Sequence, residues 1–166
     1  MLIREEREGD FAAIRLVLAA AFRDHPYSDQ REHFLVDALR GAGALTVALV
    51  AEEDGEIVGH IAFSPIQIDG RLQGWYGLGP VAVHPHRQRA GIGQALVRAG
   101  LVRLANLRAG GCVLLGEPAY YGRFGFAVHP QLRLEGVPPE YFMALAFGST
   151  YPSGAVTYHG AFSEVA

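Results

Sequence analysis

The segment Val81-Ala82-Val83-His84-Pro85-His86-Arg87-Gln88-Arg89-Ala90-Gly91-Ile92-Gly93-Gln94 constrains this chain more than any other. An apolar strand runs out at His84-Pro85, a short basic turn follows, and Gly91 and Gly93 open a helix predicted to continue to about Ala109. Such a turn leaves unpaired backbone N–H groups, two residues without side-chain bulk, and Arg87 and Arg89 at one helix N-terminus. That end carries partial positive charge and holds a diphosphate without a metal.

The rest of the chain arranges itself around this unit. Residues 2–4 read as a first strand. Asp10 is placed to cap a helix carrying Phe11, Ile14, Val17, Leu18, Ala21 and Phe22 on one stripe. Asp24-His25-Pro26-Tyr27-Ser28 breaks it. Asp29, with Glu32 three residues on, resembles a capping box for a second helix that buries Phe34, Leu35, Ala38 and Leu39 and ends at Gly41 and Gly43. Asp54-Gly55 and Asp69-Gly70 between β-rich runs are hairpin turns, so antiparallel strands are predicted at 46–52, 57–68 and 74–84. The helix after Gly93 puts Ile92, Ala95, Leu96, Ala99 and Val102 on one face. Gly110-Gly111 ends it, and Cys112-Val113-Leu114-Leu115 is a short buried strand. A short helix at 118–124 and late strands at 141–147 and 155–159 complete the pattern. The crossover from the third hairpin strand to the Cys112 strand makes a parallel pair, hence a mixed α/β fold. A length of 166 residues, half of them apolar, suits one domain over 1–166 with a sizeable core.

From spacing alone, the glycines fit an ordinary strand-to-helix turn as well as a phosphate site. Other phosphate motifs fit worse. No Lys-Ser or Lys-Thr follows the glycines, as a P-loop requires, and Gly77-x-Gly79-x-x-Ala82 leads into a strand where a dinucleotide fingerprint needs a helix.

Gln88-Arg89-Ala90-Gly91-Ile92-Gly93, the strand before it and Pro85 resemble the Q/R-x-x-G-x-G/A pyrophosphate loop of the GNAT superfamily of acyl-CoA N-acyltransferases. Ala119-Tyr120-Tyr121-Gly122-Arg123-Phe124-Gly125-Phe126 looks like the Y-x-x-x-G-F element of that family, in order and at the expected distance. The resemblance covers residues 2–126; the tail resembles a bacterial branch whose substrates are mostly unassigned. It implies a GNAT fold, with a mostly antiparallel sheet, flanking helices and a splayed central parallel pair. It also implies acetyl transfer from acetyl-CoA to a primary amine by direct attack in a ternary complex. Backbone N–H groups of Arg89, Ala90, Gly91, Ile92, Gly93 and Gln94 would hold the pyrophosphate. Val81, Ala82 and Val83 would pair with the pantetheine arm like an added strand, and the same edge can donate an N–H to the thioester oxygen. Tyr121, four residues before Gly125, matches the phenol that protonates the departing thiolate; at a pKa of about 10 it is protonated at neutral pH. Tyr120, Phe124 and Phe126 read as core aromatics.

The general base is less defined. The third hairpin strand has no carboxylate near its middle, where many relatives place a Glu. Glu117, just past the Cys112 strand, is the candidate; a solvent-facing loop acid fits it equally, and a water relay is a third option.

A formal charge of −3, with no basic stripe or aromatic platforms, argues against nucleic acid and anionic membrane surfaces. The seven histidines have no metal-ligand spacing, so no metal is expected, and His60, His84 and His86 read as structural or surface residues. One cysteine, Cys112, allows no internal disulfide and reads as a small buried apolar residue. No serine lies in G-x-S-x-G. Met1-Leu2-Ile3-Arg4-Glu5-Glu6 is too charged for a signal peptide, and no apolar run approaches the roughly 18 residues of a membrane span, so a cytoplasmic protein is expected. The expected acceptor is a small-molecule or peptide-like amine entering between the 24–31 break and the 148–154 loop, which hold Asp24, Tyr27, Asp29 and Tyr151. Two other readings stay open: a non-catalytic acyl-CoA-binding or sensor module, and an acyltransferase with another acyl donor or a hydroxyl acceptor. The apolar tail, 155–165, pairs either with its own sheet or with a second subunit in a homodimer.

Overall fold

Both Asp-Gly turns form as expected, with Asp54 (φ 50°), Gly55 (φ 80°), Asp69 (φ 52°) and Gly70 (φ 77°) all left-handed. Paired left-handed residues match the twist of the strands they join. The computed structural model, which describes residues 1–164, thus places β2 (Val47–Glu53), β3 (Glu56–Ile68) and β4 (Arg71–Val83) in one antiparallel meander. β1 (Leu2–Glu5) joins one side, and β5 (Gly111–Leu115) and β7 (Phe142–Ala146) the other, giving the order β1-β2-β3-β4-β5-β7. β6 (Leu132–Arg133) pairs in parallel with β8 (Gly154–Thr157), which itself continues along β3 where β2 has ended.

β4 and β5 are parallel, as the crossover through α3 (Ile92–Asn106) requires. Their pairing is short: Trp75↔Gly111, Tyr76↔Cys112 and Gly77↔Val113. On its other side β4 slips register against β3, with Phe63 opposite Leu78 but Ile61 opposite Val81. The extra residue makes a bulge at Gly79-Pro80, and a bulge bends its strand. Past Gly77, β4 and β5 therefore diverge.

α3 covers one face of the sheet, where Leu49, Ile61, Phe63, Leu78, Leu96, Leu104 and Leu114 form a core. α1 (Phe11–Phe22) covers the other through Ile14, Val17 and Leu18, packed with Val36 of α2 (Glu32–Gly41), Val50 and Ala82. α3 is rotated from the predicted face. It buries Ile92, Leu96, Val97, Gly100 and Leu104, while Val102 is 59% exposed. Gly100 explains the rotation: the fully buried Phe63 ring lies where a side chain would start, so the helix seats over that ring. Arg103 reaches across to Glu5 at 2.8 Å.

Asp10 stands at the N-cap of α1 as expected, whereas Arg31 rather than Asp29 precedes α2, and neither aspartate makes a side-chain cap bond to its helix. The Asp10 carboxylate takes the Arg4 guanidinium at 2.8 and 3.0 Å and the Arg7 N–H at 2.8 Å, fastening a 3-10 turn ahead of α1. Asp29 accepts the Arg31 N–H at 3.0 Å, and Glu32 turns back on the Ser28 hydroxyl. Phe34 is half-exposed beneath the Arg31 guanidinium, and Val36 takes its expected place in the core. Between α2 and the sheet, Glu6 accepts from Arg40 (2.8 and 2.9 Å) and contacts His60 Nε2 (2.8 Å). Burial pushes the Glu6 carboxyl up, but these hydrogen bonds outweigh it and hold the group at about 2.

The tail pairs with its own sheet. Gln67 faces Thr157, Ile68 faces Val156, and the Asp69 carboxylate accepts the Ala155 N–H at 2.8 Å. α5 (Ala161–Glu164) then lies against α2 through Ala161 and Phe162; Val165, the end of the predicted tail, lies outside the described residues. No helix among the described residues is long and apolar enough to cross a membrane.

Candidate functional site

The divergence of β4 from β5 leaves an open seam in mid-sheet. His84 N–H donates to the Val58 carbonyl at 2.8 Å, which fixes the alternation along β4. In an antiparallel ladder every second residue bonds its partner, so Ala82 bonds β3 and the N–H and C=O groups of Val81 and Val83 turn to the opposite edge. There β5 has already moved away. The Val83 carbonyl accepts from Gln88 Nε2 at 3.1 Å. The Val81 and Val83 side chains pack on the α3 side, while Ala82 is buried against α1.

The seam runs into the N-terminus of α3. His84 Nδ1 accepts the His86 N–H (3.2 Å), starting a 3-10 turn over Pro85–Arg87. Arg87 forks onto Glu53 at 2.7 and 2.9 Å and holds that carboxyl below its ordinary range. Its charge is therefore spent on the β2–β3 hairpin, which corrects the expectation that both arginines face a ligand. Arg89 is left-handed (φ 64°) and exposed. Gly91, at φ 84°, caps α3 in a conformation that favours glycine. Ala95 is the first residue to close onto the Gly91 carbonyl, at 3.0 Å, so the N–H groups of Ile92, Gly93 and Gln94 have no partner within the helix. Nothing lies within 4 Å of where a Gly91 side chain would start. At Gly93 such a side chain would meet only Tyr120 Oη at 3.5 Å and Val83 Cγ2 at 3.7 Å. Free N–H donors, absent bulk and a positive helix end suit a diphosphate.

Tyr121 and Glu117 come together past the end of β5. Pro118 opens α4 (Pro118–Tyr121), and the Glu117 carbonyl accepts the N–H groups of Tyr120 (3.0 Å) and Tyr121 (2.9 Å). The Tyr121 ring lies against Gly116, where any side chain would overlap it, and contacts Phe124 and Phe126 at 6.0 and 6.2 Å between centroids. Burial, with Tyr120 adding to it, pushes the Tyr121 phenol up to about 12. The Glu117 side chain is exposed and makes no hydrogen bond among the described residues.

A groove of about 480 Å³ reaches Leu115, the last residue of β5. Tyr27, Asp29, Arg31, Glu32 and Leu35 line it on one side, Leu115 and Phe162 on the other. The expected wall at 148–154 is misplaced. That segment follows β7, whose Ala146 pairs with Gly111, so it meets the opposite end of β5 from Leu115. There Tyr151 stacks on His129 at 3.7 Å and packs near Trp75. Phe162 takes the place instead, brought in by the tail; its sequence signal was only an apolar residue near the chain end. A second hollow, of about 450 Å³, lies under α1 against Asp10, Glu52 and His84, away from Tyr121.

His60 is fully buried on Glu6, His84 and His86 stack at 5.1 Å, and no three potential metal ligands gather among the described residues. Cys112 is buried, and burial pushes its thiol up, away from the thiolate.

A family model described as an acetyltransferase (GNAT) domain matches residues 44–136, more than half of the chain. The uncharacterized N-acetyltransferase YhbS of Escherichia coli is 39% identical over 136 residues, which are 80% of this chain and 78% of that protein. Among solved structures, a GNAT family acetyltransferase from Brucella melitensis in complex with acetyl-CoA is 55% identical, superposes with a TM-score of 0.88 and covers 97% of each chain. YhbS from Escherichia coli in complex with CoA superposes with a TM-score of 0.87 at 34% identity, over 98% of this chain and 91% of its own. The fold is thus shared with these acetyltransferases, and this chain belongs to the GNAT family.

Proposed function

We propose that this chain, as one catalytic domain over residues 1–166, transfers acetyl from acetyl-CoA to a primary amine by direct attack in a ternary complex. The observation that carries the reading is the open β4–β5 seam running into the free N–H groups of α3. The complexes of the two relatives with acetyl-CoA and CoA support the choice of donor.

In this reading Arg89 and the amides of Ala90, Gly91, Ile92, Gly93 and Gln94 receive the pyrophosphate. The free edge at Val81 and Val83, on either side of Ala82, which is bonded to β3, aligns the pantetheine arm, and an N–H of β4 faces the thioester oxygen as charge develops there. The amine nitrogen bonds to the carbonyl carbon and the carbon–sulfur bond breaks. Tyr121 gives its O–H proton to the departing sulfur and recovers one from solvent. Glu117, alone or through water, takes the proton that the attacking nitrogen sheds. The acceptor is a small or peptide-like amine in the groove beside Leu115, where Asp29 and Glu32 outnumber Arg31 and favour a cation. Backbone amides and Arg89 supply the positive potential, so no divalent metal is needed.

Calorimetry with acetyl-CoA in EDTA tests the donor site. The wild type should bind. Gly93→Glu should weaken binding at least about tenfold, a loss of about 1.4 kcal/mol. An acid in the first turn of a helix favours folding, so that loss reports on the site. A strict magnesium requirement, or undiminished affinity in the variant, would sink the proposal. A thiol-release screen over amines, polyamines, aminoglycosides and peptides then identifies the acceptor.

A further inference from the structure

Tyr120 precedes the proposed proton donor and reads from the sequence as a core aromatic. It is only partly buried, and its environment differs from that of Tyr121. Successive residues of a helix point about 100° apart. The two rings stand edge to face, 85° apart at 4.9 Å between centroids. Tyr121 turns in on Gly116 and Phe126, while Tyr120 turns along α3, with its hydroxyl 3.5 Å from where a Gly93 side chain would start. That hydroxyl has no hydrogen-bond partner among the described residues.

The ring is braced so that the hydroxyl stays there. Arg123 Nε donates to the Tyr120 carbonyl at 2.8 Å, and its guanidinium sits 4.6 Å from the ring centroid. Phe124 packs against the ring at 5.7 Å, with the Arg98 guanidinium 4.9 Å from the Phe124 centroid on the side of α3. Val83 Cγ2 also borders this point, 3.7 Å from it. The missing Gly93 side chain therefore leaves a small space at the first turn of α3, bordered by an aliphatic group and by an unpaired phenol.

We propose that Tyr120 is a further donor-binding residue, whose O–H completes the diphosphate cradle by donating to a pyrophosphate oxygen lying over Gly93. The proposal rests on the acetyl-CoA reading above. The two adjacent tyrosines then divide the work: Tyr120 holds the diphosphate and Tyr121 protonates the sulfur. A phenol suits the first role because it adds a donor without adding charge, and a hydrogen bond to an anion is among the stronger ones.

The test compares Tyr120→Phe with the wild type on two probes, CoA and S-acetylpantetheine, which lacks the diphosphate. The variant should bind CoA about tenfold more weakly, the effect of one hydrogen bond to a charged group. Its affinity for S-acetylpantetheine, and its melting temperature without ligand, should not change. In 31P spectra of bound CoA, the pyrophosphate resonances should move between the two proteins and the 3′-phosphate resonance should not. Equal weakening of both probes, or a lowered ligand-free melting temperature with unmoved phosphorus resonances, would assign Tyr120 to packing and overturn the proposal. Unchanged CoA affinity would overturn it as well. Failure of the wild type to bind CoA would instead overturn the donor assignment itself.

Discussion

A phenol that delivers a proton must first keep it. Burial pushes Tyr121 up to about 12, so it remains protonated well beyond neutral pH. Tyr121→Phe is expected to lower kcat by about 10²-fold, the low end for a positioned acid, with acetyl-CoA affinity retained. An unchanged kcat in single-turnover measurements would return Tyr121 to packing. The same shift has a sign for stability. The native phenol holds its proton more tightly than the unfolded one, so the contribution is complete below about 10 and is lost as pH rises toward 12. Spacing from Gly125, a local pattern, is what singles out Tyr121 as a candidate. The different settings of Tyr120 and Tyr121 were not legible, because adjacent aromatics look alike until the turn of α4 sends one inward and the other along α3.

At the scale of elements, the hairpins were the easiest to read, since an Asp-Gly pair specifies its own backbone. Helix faces were harder. Val102 fits the apolar stripe of α3 as well as Val97 does, and only the Phe63 ring, contributed by a strand far away in sequence, decides which is buried. Gly100→Ala tests that account. Alanine favours an isolated helix, yet here its methyl group must displace a fully buried ring. Overpacking should cost about 1–3 kcal/mol and appear as a lowered urea midpoint with unchanged m. A stabilised variant would show that α3 seats differently. The side-chain cap bonds misled for a related reason. Asp10 and Asp29 have the right residue type, but Arg4 and the Arg31 N–H offer their carboxylates nearer partners than the helix ends. The groove failed at one wall because β7 runs antiparallel to β5 and carries its following loop to the far end.

For the whole molecule, the donor is expected to be part of the architecture as well as a reactant. CoA at 100 times its Kd should add about 2.7 kcal/mol to stability and raise the melting temperature accordingly. A thermal melt that CoA leaves unmoved, at concentrations where calorimetry shows saturation, would mean that the folded and unfolded chains bind it alike.

Most sheets keep their unpaired strand edges at the outside, where charge, proline or a covering helix guards them. This one has an edge without a strand partner inside it, at Val81 and Val83, opened by the Gly79-Pro80 bulge and met only by the Gln88 side chain at the Val83 carbonyl. Any extended backbone that reached it would find a ready row of donors and acceptors. β5 stays paired up to Val113, so the seam closes there and offers a second polypeptide strand, with side chains on both faces, only a short length of edge. In the proposed reading, the same taper that admits a slender thioester arm also disfavours pairing with the edge of a neighbouring chain.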